Sequence, residues 1–251
     1  HLNKTRAYEA AISSYEAALN LKPDYPDAWY NRGNSLYHLG RFADAIASYD
    51  QAIEYQPAFP EAWNNRGNAL DELRRYEDAV VSYDQAIKYR QNYYWAWYNR
   101  GISLRNMERY EEAVNSYDRA IEFKPDYHWA WYSRGLALRK LGQLEKVVAS
   151  YDKALEFKPD FEESWTNRGN ALYHLGQIDA ALESYDRALA LRPDAATVWY
   201  NKACCYAAQG NLDLAFDHLR RAIELSPEEY REIAKTSSDF AELRRDHRFL
   251  S

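Results

Sequence analysis

One methionine, two cysteines, nine glycines and eight prolines in 251 residues leave this chain poor in sulfur and in backbone punctuation. The cysteines, Cys204 and Cys205, are neighbours, and adjacent residues cannot close an ordinary disulfide without severe strain. That excludes a disulfide framework and leads us to expect a reduced, cytoplasmic protein. No apolar run approaches the roughly 18 residues that a membrane-spanning helix requires, so a membrane is not an expected partner. Basic charge is not in excess either: 32 Lys and Arg against 38 Asp and Glu give a net charge of −6, which disfavours sequence-independent binding to nucleic acid. There is no phosphate-binding glycine loop, no HExxH and no CxxC. His38 and His174 share a register but lie too far apart to share a metal, so no catalytic residue, metal or cofactor is assigned and no enzymatic activity is expected. What the chain does have is aromatic residues, 23 Tyr and 8 Trp among them, and an aromatic content of 16% excludes bulk disorder.

Periodicity organises the rest. Trp29, Trp63, Trp97, Trp131, Trp165 and Trp199 are each 34 residues apart with no insertion between them. Starting each unit three residues before its Trp gives six full repeats, 26–59, 60–93, 94–127, 128–161, 162–195 and 196–229. Every glycine then falls at repeat position 8 (Gly33, Gly67, Gly101, Gly135, Gly169) or position 15 (Gly40, Gly142, Gly176, Gly210). Within 26–59, Trp29, Gly33, Leu36 and Leu39 form one helical stripe, and Phe42, Ala45, Ile46, Tyr49, Ala52 and Ile53 form a second. Gly40 turns the chain between them and Pro57 ends the second helix. Each repeat is thus predicted to be a helical hairpin in which small residues let helices approach beside bulky Trp and Tyr.

The pattern Trp29, Gly33, Ala45, Tyr49, Pro57 resembles the tetratricopeptide repeat (TPR), and the resemblance covers essentially the whole chain. It implies an all-α, right-handed superhelical solenoid of TPR hairpins. Position 7 departs from the family's usual Leu: it is Arg32, Arg66, Arg100, Arg134 and Arg168, then Lys202. Asp50, Asp84, Asp118, Asp152 and Asp186 accompany these at position 25, replaced by Arg220 in the last repeat. We expect each Arg to pair with such an Asp between helices, because a partly buried guanidinium needs a carboxylate.

Residues 1–25 align with positions 10 to 34 of a preceding unit and are expected to supply its second helix alone. An apolar face would then lack a cap, so the chain is expected to be a piece of a longer protein, with self-association through that N-terminal face as a further expectation. Residues 230–251, with Ser237 and Ser238 as helix caps and Phe240, Leu243, Phe249 and Leu250 as apolar anchors, are expected to cap the last repeat. The alternative is a regulatory tail that folds into its own groove.

The resemblance further implies that positions 2, 5, 6, 9, 12 and 13 line a concave wall. Position 6 there is Asn31, Asn65, Asn99, Asn167 and Asn201, and position 9 adds Asn34, Asn68 and Asn170. A side-chain amide both donates and accepts, so a row of them can hold a peptide backbone, similar to the asparagine ladder in the TPR superhelix of O-GlcNAc transferase. The same amides can instead tie neighbouring helices together. The carboxylate clamp of chaperone-binding TPR proteins is disfavoured, because position 5 is never Lys and position 6 never Arg. In the third and fourth repeats the wall carries Trp95, Tyr98, Asn99, Arg105, then Trp129, Tyr132, Arg139 and Lys140. These aromatics and cations are expected to anchor an acidic, aromatic-bearing segment of a protein partner. The function expected is an interaction scaffold for an extended peptide; the alternative is a regulatory or targeting module of a larger enzyme such as a kinase or transferase.

Overall fold

The computed structural model describes residues 2–245 and divides into two compact units, His1–Asp126 and Tyr127–Ser251. Among the described residues there are helices and turns and no strand. The first unit holds α1 (Leu2–Leu21), α2 (Pro26–His38), α3 (Phe42–Tyr55), α4 (Pro60–Glu72), α5 (Tyr76–Tyr89), α6 (Tyr94–Asn106) and α7 (Tyr110–Phe123). The second holds α8 (His128–Lys140), α9 (Leu144–Phe157), α10 (Glu162–His174), α11 (Ile178–Leu191), α12 (Ala196–Ala208), α13 (Leu212–Leu225) and α14 (Pro227–Thr236), then 3₁₀ turns at Ser238–Phe240 and Leu243–Arg245. In each unit consecutive helices pack as hairpins, and each hairpin packs on the next, as in a solenoid.

Close approach within a hairpin depends on the position-8 glycines. A Cβ built on Gly33 would lie 2.6 Å from the Tyr49 ring, and the corresponding glycines meet Tyr83, Tyr117, Tyr151 and Tyr185 in the same way. These five Tyr are fully buried, and the position-27 alanines beside them have no exposed surface. The position-15 glycines serve differently, turning the chain at φ near +70°. Arg74 and Glu108 hold the same left-handed conformation where their repeats have no glycine.

Five of the Trp indoles close junctions between repeats. Trp29, Trp63, Trp97, Trp165 and Trp199 donate from Nε1 to the carbonyl six residues earlier, at 2.8–2.9 Å. The position-7 cation packs on this ring and forms a ladder with its neighbours. Arg32, Arg66, Arg134 and Arg168 sit 5.8–5.9 Å from the indoles three residues before them. Arg66, Arg100 and Arg168 pair with Asp50, Asp84 and Asp152 at 2.6–2.7 Å, and each donates from Nη1 to a buried serine of its own repeat at 2.7 Å. The acid belongs to the preceding repeat, so the ladder links hairpins rather than closing one. Hence Lys202 still reaches Asp186 although position 25 of its own repeat is Arg220, and Arg32 finds Glu16 in α1.

The two ends differ from the sequence expectation in detail. α1 is 20 residues long rather than the 14 of the other second helices, continuing where other repeats turn. α14 starts at Pro227, three residues before the expected boundary, because proline is suited to a first helical turn. Ser237 does cap the turn that follows, accepting from the Asp239 amide, and Phe240 and Leu243 are fully buried. Phe249 and Leu250 lie outside the described residues.

Candidate functional site

Side chains from the first helix of each hairpin converge on one wall in each unit. Asn34 accepts at Oδ1 from the Tyr49 hydroxyl (2.9 Å) and from Asn65 Nδ2 (2.9 Å). Asn68 accepts likewise from Tyr83 (2.8 Å) and Asn99 (3.0 Å), and Asn170 from Tyr185 (2.8 Å) and Asn201 (2.8 Å). Buried tyrosines therefore fix the orientation of the position-9 amides. With the oxygen saturated, the Nδ2 of Asn34 and Asn170 is left as a donor; beside it Asn201 Oδ1 keeps accepting capacity, while Asn65 Oδ1 already accepts from Asn64 Nδ2 at 3.1 Å and keeps one lone pair. The asparagines tie adjacent helices together, and they also leave paired donor and acceptor groups on the wall.

This relay stops in the third and fourth repeats, where position 9 is Ile102 and Leu136. There Asn167 donates instead to the Tyr132 hydroxyl at 3.2 Å. The Tyr151 hydroxyl, facing no asparagine, is buried without a hydrogen-bond partner among the described residues. Asn31 is half-buried on α2, and its carbonyl accepts from Ser35.

The remaining predicted wall residues separate by unit. In the first, Trp95 on α6 is 42% exposed beside Tyr94, with Tyr98 and Arg105 on the same helix half-buried. In the second, Trp129 on α8 is 41% exposed, its ring 4.8 Å from Phe161 and edge-on to Tyr132 at 6.0 Å. Arg139 and Lys140 end α8, both exposed. Among the described residues Arg105, Arg139 and Lys140 have no ion-pair partner. Two wall acids of the first unit are already engaged: Glu61 pairs with Arg90, and Asp71 accepts from Ser103 and Tyr83. Burial raises the Asp71 carboxyl above the usual range.

Two pockets lie on these walls. One, of about 320 Å³ in the first unit, is lined by Asn34, Tyr37, His38, Tyr49, Asn65 and Asn68. The other, of about 340 Å³ in the second, takes in Arg139, Asn170, Tyr173, Tyr200, Asn201 and Asp239. Asp239 belongs to the C-terminal segment, whose presence on the wall no spacing rule in the sequence announces. Cys204 lines this pocket, and burial pushes its thiol up, away from reactive thiolate; Cys205 is pushed up to about 12 by the same cause. Among the described residues no three His, Cys, Asp or Glu groups are placed to hold a metal ion, and no helix is long and apolar enough to cross a membrane.

A Tetratricopeptide repeat family model matches residues 32–94 and 166–230, a TPR repeat model 7–40, 103–142 and 135–176, and a further Tetratricopeptide repeat model 82–115. The chain belongs to the tetratricopeptide repeat family. Among curated proteins no sequence match is found. Of solved structures, this TPR chain is similar to YrrB, described as a TPR protein with an unusual peptide-binding site. The identity is 25% and the TM-score 0.69, over 76% of this chain and 100% of that one. MamA from Desulfovibrio magneticus is 23% identical over 68% of this chain and 96% of its own, with a TM-score of 0.63. The C-terminal part of a TPR protein from Cytophaga hutchinsonii is 16% identical, covering 92% and 95%, with a TM-score of 0.77. The last two likenesses concern the fold alone.

Proposed function

We propose that this TPR protein is an interaction scaffold that holds an extended polypeptide along its inner walls, gripping the main chain with asparagine pairs. The observation that carries this reading is the Tyr–Asn–Asn relay. Because the position-9 oxygen is saturated from within, the free amide hydrogens and the adjacent position-6 oxygen match the C=O and N–H of a peptide group. Such pairing reads backbone and tolerates varied side chains. The likeness to YrrB, whose described role is peptide binding, supports the same class of ligand.

Side-chain preference comes from the repeats that lack the relay. Trp95, Tyr98 and Arg105 in one unit, and Trp129, Tyr132, Arg139 and Lys140 in the other, offer exposed aromatic area beside cations without ion partners among the described residues. An acidic segment bearing aromatic residues suits both sets.

A binder selected from a peptide library, then scanned by backbone N-methylation, tests the reading. Methylation removes one N–H without changing any side chain. Loss of about tenfold in affinity at residues facing the asparagines is expected, reproduced by Asn34→Ala or Asn170→Ala. A scan in which every N-methyl peptide binds within about twofold of the parent removes backbone recognition.

A further inference from the structure

The two pockets are built from the same residue types at the same repeat positions. Asn34, Tyr37, His38, Tyr49 and Asn65 of the first correspond to Asn170, Tyr173, His174, Tyr185 and Asn201 of the second. In the first pocket the Tyr37 hydroxyl donates to Glu72 Oε1 at 3.2 Å, an acid that belongs to the wall itself at the end of α4. The corresponding residue on α12 is Ala208. Yet a carboxylate is present: the Tyr173 hydroxyl lies 3.4 Å from Asp239 Oδ1, supplied by the chain's own C-terminal segment. Burial, and after it that carboxylate, raise the Tyr173 phenol.

The residue after Asp239 completes a recognisable ligand. Phe240 is fully buried, and its ring meets Tyr200 edge-on at 5.6 Å. Its segment is held by Ser237 capping the turn, by Arg244 donating to the Ala234 carbonyl at 3.1 Å, and by Phe240 and Leu243 packing with Ala203, Leu219 and Ala234. Across the same pocket stands Arg139, with no ion partner among the described residues, beside exposed His174. A carboxylate brought by a separate chain, free of the geometry of the turn, can accept from Tyr173 and also reach Arg139, which makes a stronger charge-assisted contact.

We propose that the Ser238–Phe240 turn is an intramolecular ligand of the second-unit pocket, which recognises an Asp or Glu followed by an aromatic residue. An acidic-aromatic segment of a partner polypeptide competes with the tail for this place. The proposal rests on the reading that the inner wall binds peptides, and it adds the side chains selected and the chain's own control over access. At the first-unit pocket the Tyr37 hydroxyl is already engaged by Glu72 of the next repeat, so that pocket lacks such a gate and its phenol is not free for a ligand's acid.

The probe is a fluorescent ten-residue peptide with the sequence of Thr236–Arg245, titrated into the full chain. Asp239→Asn, which loosens the tail while keeping Phe240 packed, is expected to raise the affinity for the peptide about fivefold. Asp239→Asn with Phe240→Ala raises it about tenfold or more. Adding Tyr173→Phe to Asp239→Asn is expected to abolish the gain. Circular dichroism of each variant confirms that helix content is kept, and Asp239→Asn alone carries the test should the double variant unfold. Binding within about twofold of the unmodified chain for a folded Asp239→Asn variant overturns the proposal. If Asn170→Ala leaves the peptide's affinity alone while Tyr173→Phe lowers it, the backbone clamp fails and this site stands. The reverse pattern keeps the clamp and removes the site.

Discussion

Gly67 lies so close to Tyr83 that a Cβ on the glycine would sit 2.5 Å from the ring, nearer than real Cβ contacts come. The ring cannot retreat, because it is fully buried and its hydroxyl is held by Asn68 at 2.8 Å and Asp71 at 2.7 Å. Gly67→Ala is therefore expected to cost about 1–3 kcal/mol through overpacking, read from urea unfolding. Gly142→Ala meets no atom within 4 Å, and it is expected to cost only the strain of its φ of +70°, about 1 kcal/mol. Gly67→Ala within about 0.5 kcal/mol of the unmodified protein contradicts this account of the hairpin.

The same turn geometry predicts two gains. Arg74 (φ 58°) and Glu108 (φ 59°) hold the left-handed conformation that glycine fills in the other repeats, and both are exposed. Arg74→Gly and Glu108→Gly are each expected to stabilise by about 0.5–1 kcal/mol, since relief of backbone strain exceeds the added freedom of the unfolded chain. A higher thermal midpoint for the pair together checks it, and a lower one refutes it.

These features divide what the sequence reveals from what it conceals. Period and residue size were legible: a 34-residue Trp spacing and glycines at two positions suffice for hairpins, because packing constraints repeat identically. The Arg ladder was legible in its residue types and not in its direction, since position 25 of the same repeat and of the preceding one are indistinguishable by spacing alone. Asn34 was placed on the wall by its position, but which of its amide atoms stays free depends on Tyr49, on the other helix of the hairpin. Asp239 escaped the reading as a wall residue because it lies beyond the last repeat, where no period carries it to Tyr173.

Arg100 and Asp84 join two successive hairpins at 2.7 Å, with the Arg side chain 19% and the Asp 49% exposed. A double-mutant cycle with Arg100→Met and Asp84→Ala is expected to show a coupling of about 0.5–1 kcal/mol, modest because solvent reaches the pair. Arg100→Met alone is expected to cost more than Asp84→Ala alone. It also leaves buried Ser116 without the Nη1 donor at 2.7 Å. Equal single-mutant losses contradict that asymmetry.

Histidine protonation is expected to contribute to the acid sensitivity of the second unit. Burial depresses His218, which replaces the serine of the ladder in the last repeat, and burial likewise depresses His128. With folded values below the ordinary 6.5 or so of an unfolded histidine, the unfolded state binds protons first as pH falls. Stability is therefore expected to be full above that value and to decline below it. His218→Gln should flatten part of the decline in melting temperature between about pH 7 and pH 5. An unchanged slope in His218→Gln removes His218 from the explanation.

Trp95 and Trp129 are the aromatic side chains at wall position 2, and about two fifths of each is exposed, 42% and 41%. A tryptophan serving only as core would not leave that much surface in water, and one serving only as surface would not be flanked by Tyr94 or by Phe161 and Tyr132. Such half-buried rings, already held in place, lose little freedom when a ligand covers them. Trp95→Ala and Trp129→Ala are each expected to weaken a selected acidic-aromatic peptide by about 2 kcal/mol, some 30-fold. Melting temperature should fall less than in Tyr117→Ala or Tyr151→Ala, which empty the core. Adding salt should weaken binding further, since Arg105, Arg139 and Lys140 meet the ligand's acids in water. If both tryptophan variants bind within about threefold of the unmodified protein, the side-chain anchors lie elsewhere on the wall.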